Sequence, residues 1–239
     1  MKTKSLIFIV ALALLAGVVS CKQDHEIPTG VVFNPVNGEH NGHTYVDLGL
    51  PSGTLWATCN VGASSMEDFG NYFAWGEAQT KAIFNWSTYQ HCKGDENTFT
   101  KYCSDSDYGY NGFTDNLTTL QPSNDAATAN WGGSWHTPTK EEWQELYDNT
   151  SKSWVSKNGV NGCQFSSTNG NSIFLPAAGD SMEDSFYHVG TDGYYWSSSL
   201  YLDNNNGAWS YHSQSGTYKS AADYRRVGEP IRPVCKLQD

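Results

Sequence analysis

Beyond its first twenty residues the chain has no long apolar run; short apolar stretches follow one another, each closed by Gly, Pro, Asn, Asp or Ser. "YVDLGLPSG", "TLWATCNVGA" and "NYFAWGE" succeed each other from Tyr45, and "SIFLPAAG", "GYYWSSSL", "GAWSYH" and "PIRPV" follow Asn149. Bounded runs of this kind read as short strands separated by turns. Aromatics at 14% and 23 glycines, against only 16% charged residues, fit a folded, turn-rich domain; a disordered chain would lack the aromatics. One segment breaks the pattern. "TPTKEEWQELYDN" sets Glu142 three residues after Thr139, a capping box that satisfies free backbone donors at a helix start. Trp143, Leu146 and Tyr147 then form one apolar face. A shorter helix is expected from Asp125 to Asn130, and residues 90–125, rich in Asn, Asp, Thr and Gly, read as long loops. The expectation is an α+β domain with two helices, short twisted antiparallel strands and long loops.

The N-terminus carries an export signal. Lys2 and Lys4 precede an apolar run from Leu6 to Val19 that is short for a membrane span. The sequence Val18-Val19-Ser20-Cys21 resembles a bacterial lipobox, in which the cysteine is acylated and becomes the first mature residue. Residues 1–20 are thus expected to be a lipoprotein signal peptide, Cys21 the lipidation site, 21–40 a polar tether and 41–239 the folded domain. Two or more acyl chains would hold such a protein stably on a membrane. Lys22-Gln23-Asp24-His25-Glu26 loosely resembles the acidic tags that send some lipoproteins of the Bacteroidota to the cell surface, so an outer-membrane, surface location is expected, with a periplasmic face left open. A net charge of −11 and only three arginines, Arg225, Arg226 and Arg232, argue against nucleic acid as a partner.

An exported chain can keep disulfides. Setting Cys21 aside leaves five cysteines. Cys92 and Cys103 bracket a polar loop and are one candidate pair; Cys59 in "TLWATC" and Cys235 in "IRPVC", which could tie an early strand to the last, are another. Cys163 is then left as a buried thiol. No Cys-x-x-Cys occurs, which leaves zinc-ribbon and thioredoxin-like readings without support.

Six motifs in order, "YVDLGLPSGTLWATCNVGA", "GNYFAWGE", "ANWGGSWHTPTKEEWQEL", "SIFLPAAG", "YYWSSSLY" and "IRPVC", resemble the Fibrobacter succinogenes major paralogous domain, common in lipoproteins of gut Bacteroidota. The likeness runs from about Asn41 to Cys235. It implies a C-type-lectin-like fold, related in architecture to the formylglycine-generating enzymes, whose "RLPTEAEWE" helix resembles "HTPTKEEWQ" here. His136 and Thr137 depart from the Arg and Met or Leu more usual in the family, which should change a local contact and not the fold.

The enzyme relationship is resisted by the residues. Where a formylglycine-generating enzyme would carry a cysteine after its core tryptophan, this chain reads Trp196-Ser197-Ser198-Ser199. No Gly-x-Ser-x-Gly, His-Glu-x-x-His or phosphate loop occurs. The acidic pairs Glu67–Asp68 and Glu141–Glu142 read as loop and helix-capping acids. For metals, His40 and His43 have a ligand-like spacing but flank the turn Asn41-Gly42 and read as surface residues, and "DSDYGYNG" from Asp105 lacks the third ligand and closing Glu of a calcium loop. The Glu-Pro-Asn and Trp-Asn-Asp signatures of calcium-dependent sugar-binding lectins are missing too. No catalytic residue, cofactor or metal is therefore expected.

What remains is recognition. Between "YYWSSS" and "RRVGEPIRPV" lies a stretch crowded with Tyr, Asn, Asp, Ser and His, the mixture that gives antibody paratopes large contact area and adaptable hydrogen bonds. Tyr201, Asp203, Asn204, Asn205, Asn206, Tyr211, His212, Tyr218 and Asp223 are the candidate ligand-binding residues, with Trp196 and Trp209 as scaffold. The arrangement also resembles the variable proteins of diversity-generating retroelements. The partner expected is an extracellular protein or glycan; alternatives are a structural subunit of a surface assembly such as a fimbrial tip and, last, an enzyme.

Overall fold

The computed structural model describes residues 37–237, so the expected signal peptide, Cys21 and nearly all of the tether lie outside the described residues. Strands β1 (Gly38–His40), β2 (His43–Val46) and β3 (Leu55–Ala57) come first. A long passage of loops and single 3₁₀ turns leads to helices α1 (Ala126–Trp131) and α2 (Lys140–Asn149). Strands β4 (Ser151–Lys157), β5 (Val160–Ser166), β6 (Ser172–Pro176), β7 (Asp180–Met182) and β8 (Ser185–Tyr187) follow. Strands β9 (Asp192–Leu200), β10 (Gly207–Gln214), β11 (Thr217–Tyr224) and β12 (Val234–Cys235) complete the described chain. The class is α+β, with small antiparallel sheets ordered β1-β2-β3-β12, β11-β10-β9, β4-β5-β6 and β7-β8. Because β1 starts at Gly38, residues 38–40, expected in the tether, are strand instead.

Both helices form where their caps dictate. The Thr139 hydroxyl accepts from the Glu142 N–H at 3.1 Å, and the Glu142 carboxylate accepts from the Thr139 N–H at 2.9 Å. The Asp125 carboxylate accepts from the N–H of Ala127 at 2.9 Å and from the N–H and hydroxyl of Thr137. That one buried acid starts α1 and ties it to the segment leading into α2.

Helix α2 lies on one face of the β9–β10–β11 sheet. Trp143 stacks flat on Tyr211, with 4.8 Å between ring centroids and 6° between planes, and its indole N–H donates to the Trp196 carbonyl at 3.2 Å. Leu146, Cys163, Phe165 and Tyr195 close the same cluster. Trp196 points to the opposite face, into a second cluster with Trp75, Trp131 and Trp135. Each such side chain removed from water is worth about 2–3 kcal/mol. Two of the three arginines are structural. Arg232 is fully buried and donates to Asn60 Oδ1 and to the carbonyls of Ala57, Thr58 and Phe174 at 2.8–3.1 Å, joining β3, the last strand and β6. Arg225 is buried with its guanidinium 3.5 Å from the Phe99 ring centroid.

The expected disulfides are not formed; Cys59, Cys92, Cys103, Cys163 and Cys235 are all free thiols. Register explains one pair: Cys235 lies opposite Leu55 on β3, not opposite Cys59. In the other, the thiols turn to local carbonyls, Cys92 to Trp86 at 3.2 Å and Cys103 to Asp105 at 3.1 Å. Cys163 is buried, as expected, and burial pushes its thiol up to about 12.

Candidate functional site

The nine residues expected to share a binding face are divided by the strand pattern among three places. Side chains alternate along β10, so Trp209, Tyr211 and Ser213 share one face while Ser210 and His212 share the other. Tyr211 is 1% exposed beneath Trp143, and its hydroxyl faces the Cys163 thiol; it is core and cannot meet a ligand. Tyr218 packs half-buried on the edge of the same cluster. Asn205 and Asn206 are also buried: Asn205 Oδ1 accepts from the N–H of Ser104 at 2.7 Å, and the Asn206 carbonyl accepts from the Arg225 N–H at 2.9 Å. These two asparagines hold the β9–β10 loop in place. Asn204 Oδ1 closes the turn by accepting from the Asn206 N–H at 2.9 Å.

What the loop leaves open is a groove of about 360 Å³ at the end of α2, lined by Tyr201, Leu202 and Asp203 from the loop. Trp209 forms its floor. This residue, expected as scaffold, is half-buried because α2 begins at Lys140, and the helix covers Tyr211 but stops short of Trp209. Tyr201 meets Trp209 edge-on, with 5.0 Å between centroids and 89° between planes. Lys140 sets its ammonium 3.8 Å from the Trp209 ring centroid, a cation–π contact, and Glu141 lines the rim beside it. The opposite wall is Thr118 and Thr119, pinned by the Leu200 N–H donating to the Thr118 carbonyl at 2.8 Å. The Ser199 hydroxyl accepts from the Lys140 N–H at 3.1 Å, which joins the bulged end of β9 to the first turn of α2. A smaller depression of about 290 Å³ lies across Tyr201, with Asn204, Asp223 and the exposed Tyr224 on its walls.

His212 and Asp223 lie on the far face of the sheet, bonded to each other and away from the groove floor. The remaining candidates are absorbed locally. His40 Nε2 accepts from the Ser134 N–H at 3.2 Å, while His43 stacks on Trp131 at 3.8 Å, so the two do not converge. Asp105 Oδ1 accepts from the Asp107 N–H, an ordinary turn cap. Asp68 Oδ2 caps the Ser64–Ser65 turn in the same way. Comparison with protein-family models, curated proteins and solved structures finds no match for the chain.

Proposed function

We propose that the protein is an exported lipoprotein that binds an extracellular ligand, a glycan or a protein segment, in the Tyr201–Trp209 groove. The carrying observation is the groove itself: a half-exposed Trp–Tyr pair ringed by hydroxyl, carboxylate and ammonium groups, on backbone that hydrogen bonds have already fixed. Its volume is in the range of small-ligand sites, and pre-fixed walls lower the ordering cost of binding. Aromatic faces suit the apolar side of a sugar ring, and the surrounding hydroxyls and acids suit its edge. Export and acylation at Cys21 rest on the N-terminal pattern of basic residues, apolar run and lipobox-like cysteine. Membership in the major paralogous domain family, with its C-type-lectin-like fold, rests on the six ordered motifs; two helices among the described residues, with short antiparallel strands and a long loop region, support it.

The test is to apply the mature chain to glycan and extracellular-protein arrays beside Trp209→Ala. Binding at least tenfold weaker in the variant, with a native circular-dichroism spectrum and a cooperative melt well above the assay temperature, supports the groove; equal binding overturns it. A second reading, a subunit of a surface assembly, is favoured by β11, whose eight residues form the outer edge of their sheet and offer backbone groups for strand addition. Stoichiometric partner subunits co-purified from intact cells would establish that reading, and their absence would remove it.

A further inference from the structure

On the face of the β9–β10–β11 sheet turned away from α2, three side chains from separate parts of the chain converge. The register places Ala208 opposite Asp223 and His212 opposite Lys219, so His212 and Asp223 stand on the same face of the β10–β11 ladder. Glu229 arrives from the segment beyond β11, anchored by paired backbone bonds to Phe73 at 3.0 and 3.1 Å. One nitrogen of His212 and one carboxylate oxygen from each of Asp223 and Glu229 all lie within 4.8 Å of one another.

Glu229 is the informative member. It is fully buried, its Oε2 accepts a 2.6 Å bond from the Ser210 hydroxyl, and its Oε1 has no hydrogen-bond partner. A buried carboxylate served by one hydroxyl is costly unless a cation or further donors meet it. A Glu229 carboxylate oxygen converges with His212 and Asp223, and the two carboxyl groups are close enough to share a proton when no cation lies between them. The surroundings add negative charge: Asp180, itself bonded to His188 at 2.7 Å, acts electrostatically on both Asp223 and Glu229. Lys219 lies opposite His212 and partly offsets that charge.

We propose that His212, Asp223 and Glu229 form a divalent metal site, with zinc the best fit. One imidazole and two carboxylates make a borderline donor set, and three protein ligands leave a further position for water or a ligand atom. The supporting contacts are those such a site needs. Ser210 holds the second Glu229 oxygen, and the Tyr194 ring packs edge-on against the His212 imidazole with 4.4 Å between centroids. Entry is open, since His212 lines a surface depression of about 130 Å³ and Asp223 lines the one beside Tyr201. An ion there would fasten the edge strand β11 to β10 and to the chain that follows, next to the proposed ligand groove. The inference stands independently of that groove's function.

The experiment uses the mature chain stripped with a chelator and titrated separately with zinc, manganese and calcium chlorides by calorimetry. The expected result is one equivalent of zinc bound at micromolar or tighter Kd, with calcium at least tenfold weaker. Glu229→Gln, which keeps shape and the Ser210 contact, and His212→Gln should each weaken zinc at least tenfold, while His188→Gln should not. Replacing zinc by cobalt should give visible d–d absorption bands that Glu229→Gln abolishes, a readout separate from folding. Failure of all three metals to bind at 100 µM, as expected of an Asp223–Glu229 pair that merely shares a proton, overturns the proposal. So does zinc binding left unchanged by both ligand variants. Groove binding is measured with a different variant, Trp209→Ala, so either result is readable without the other.

Discussion

Tyr211 decides between an inward and an outward reading of the C-terminal tyrosines. It is 1% exposed, lies flat on Trp143 at 4.8 Å and touches Phe165 with 5.6 Å between centroids. Removing a buried aromatic ring to the β-carbon costs about 3–5 kcal/mol, of which roughly 1 kcal/mol belongs to the ring pair itself. Tyr211→Ala should therefore lose about 3–5 kcal/mol. For a domain of this size each kcal/mol moves the melting temperature by roughly 2–4 °C, so a drop of roughly 6–20 °C follows. Tyr211→Phe keeps the stack and deletes a hydroxyl without a strong partner, so it should stay within about 1 kcal/mol of the parent. Urea unfolding followed by tryptophan fluorescence measures both, and near-UV circular dichroism of Tyr211→Ala should lose signal from the Trp143 stack. If Tyr211→Ala melts with the parent, or if Tyr211→Phe costs as much as alanine, the packing of α2 on the sheet is wrong.

Two further outcomes follow from buried charge. Arg232→Met strips hydrogen bonds from Asn60 and three carbonyls in a fully buried site, and should lower the urea midpoint by the equivalent of about 3 kcal/mol or more; an unchanged midpoint would contradict its role as a clamp. The His136–Glu142 contact gives a pH signature. Burial alone would lower the His136 pKa, but the hydrogen bond and charge of Glu142 outweigh it and hold the ring above its ordinary 6.5; burial likewise would raise Glu142, yet the same partner holds it below its ordinary 4.5. The contribution is thus complete between those two values, is lost as pH rises through the raised histidine value, and is lost again as pH falls through the lowered carboxylate value. With the pair partly exposed it is worth roughly 0.5–1 kcal/mol. His136→Gln should flatten that part of the stability–pH curve, and a curve of unchanged shape would refute the pairing.

Features encoded by neighbours in sequence were readable in advance, and those created by distant packing were not. Thr139 with Glu142 and Asp125 before Ala126 are local hydrogen-bond arrangements, so both helices were expected near where they stand. The β4–β5 hairpin was missed although its signal is local too: Asn158 and Gly159 both take positive φ, 49° and 84°, as the favoured two-residue turn requires. Tyrosine is equally at home in a core and on a surface, and nothing near Tyr211 announces that Trp143 covers it. Trp209 has the same alternation, and only the point at which α2 begins leaves it open. His212 and Asp223 are eleven residues apart, and no short spacing motif links them to Glu229. The arginines, read from sequence only as a count too small for nucleic acid, owe their structural role to carbonyls on three other segments.

The central claim is that ligand meets the protein at Trp209, and the indole N–H resonances of the nine tryptophans report it directly. With ¹⁵N-labelled protein and a ligand taken from the array screen, the Trp209 indole should shift on titration. The signals of Trp143 and Trp196, sealed on either side of the sheet, should stay in place. A saturable shift confined to Trp209 is the predicted result; an unmoved Trp209 resonance with ligand bound would contradict the account.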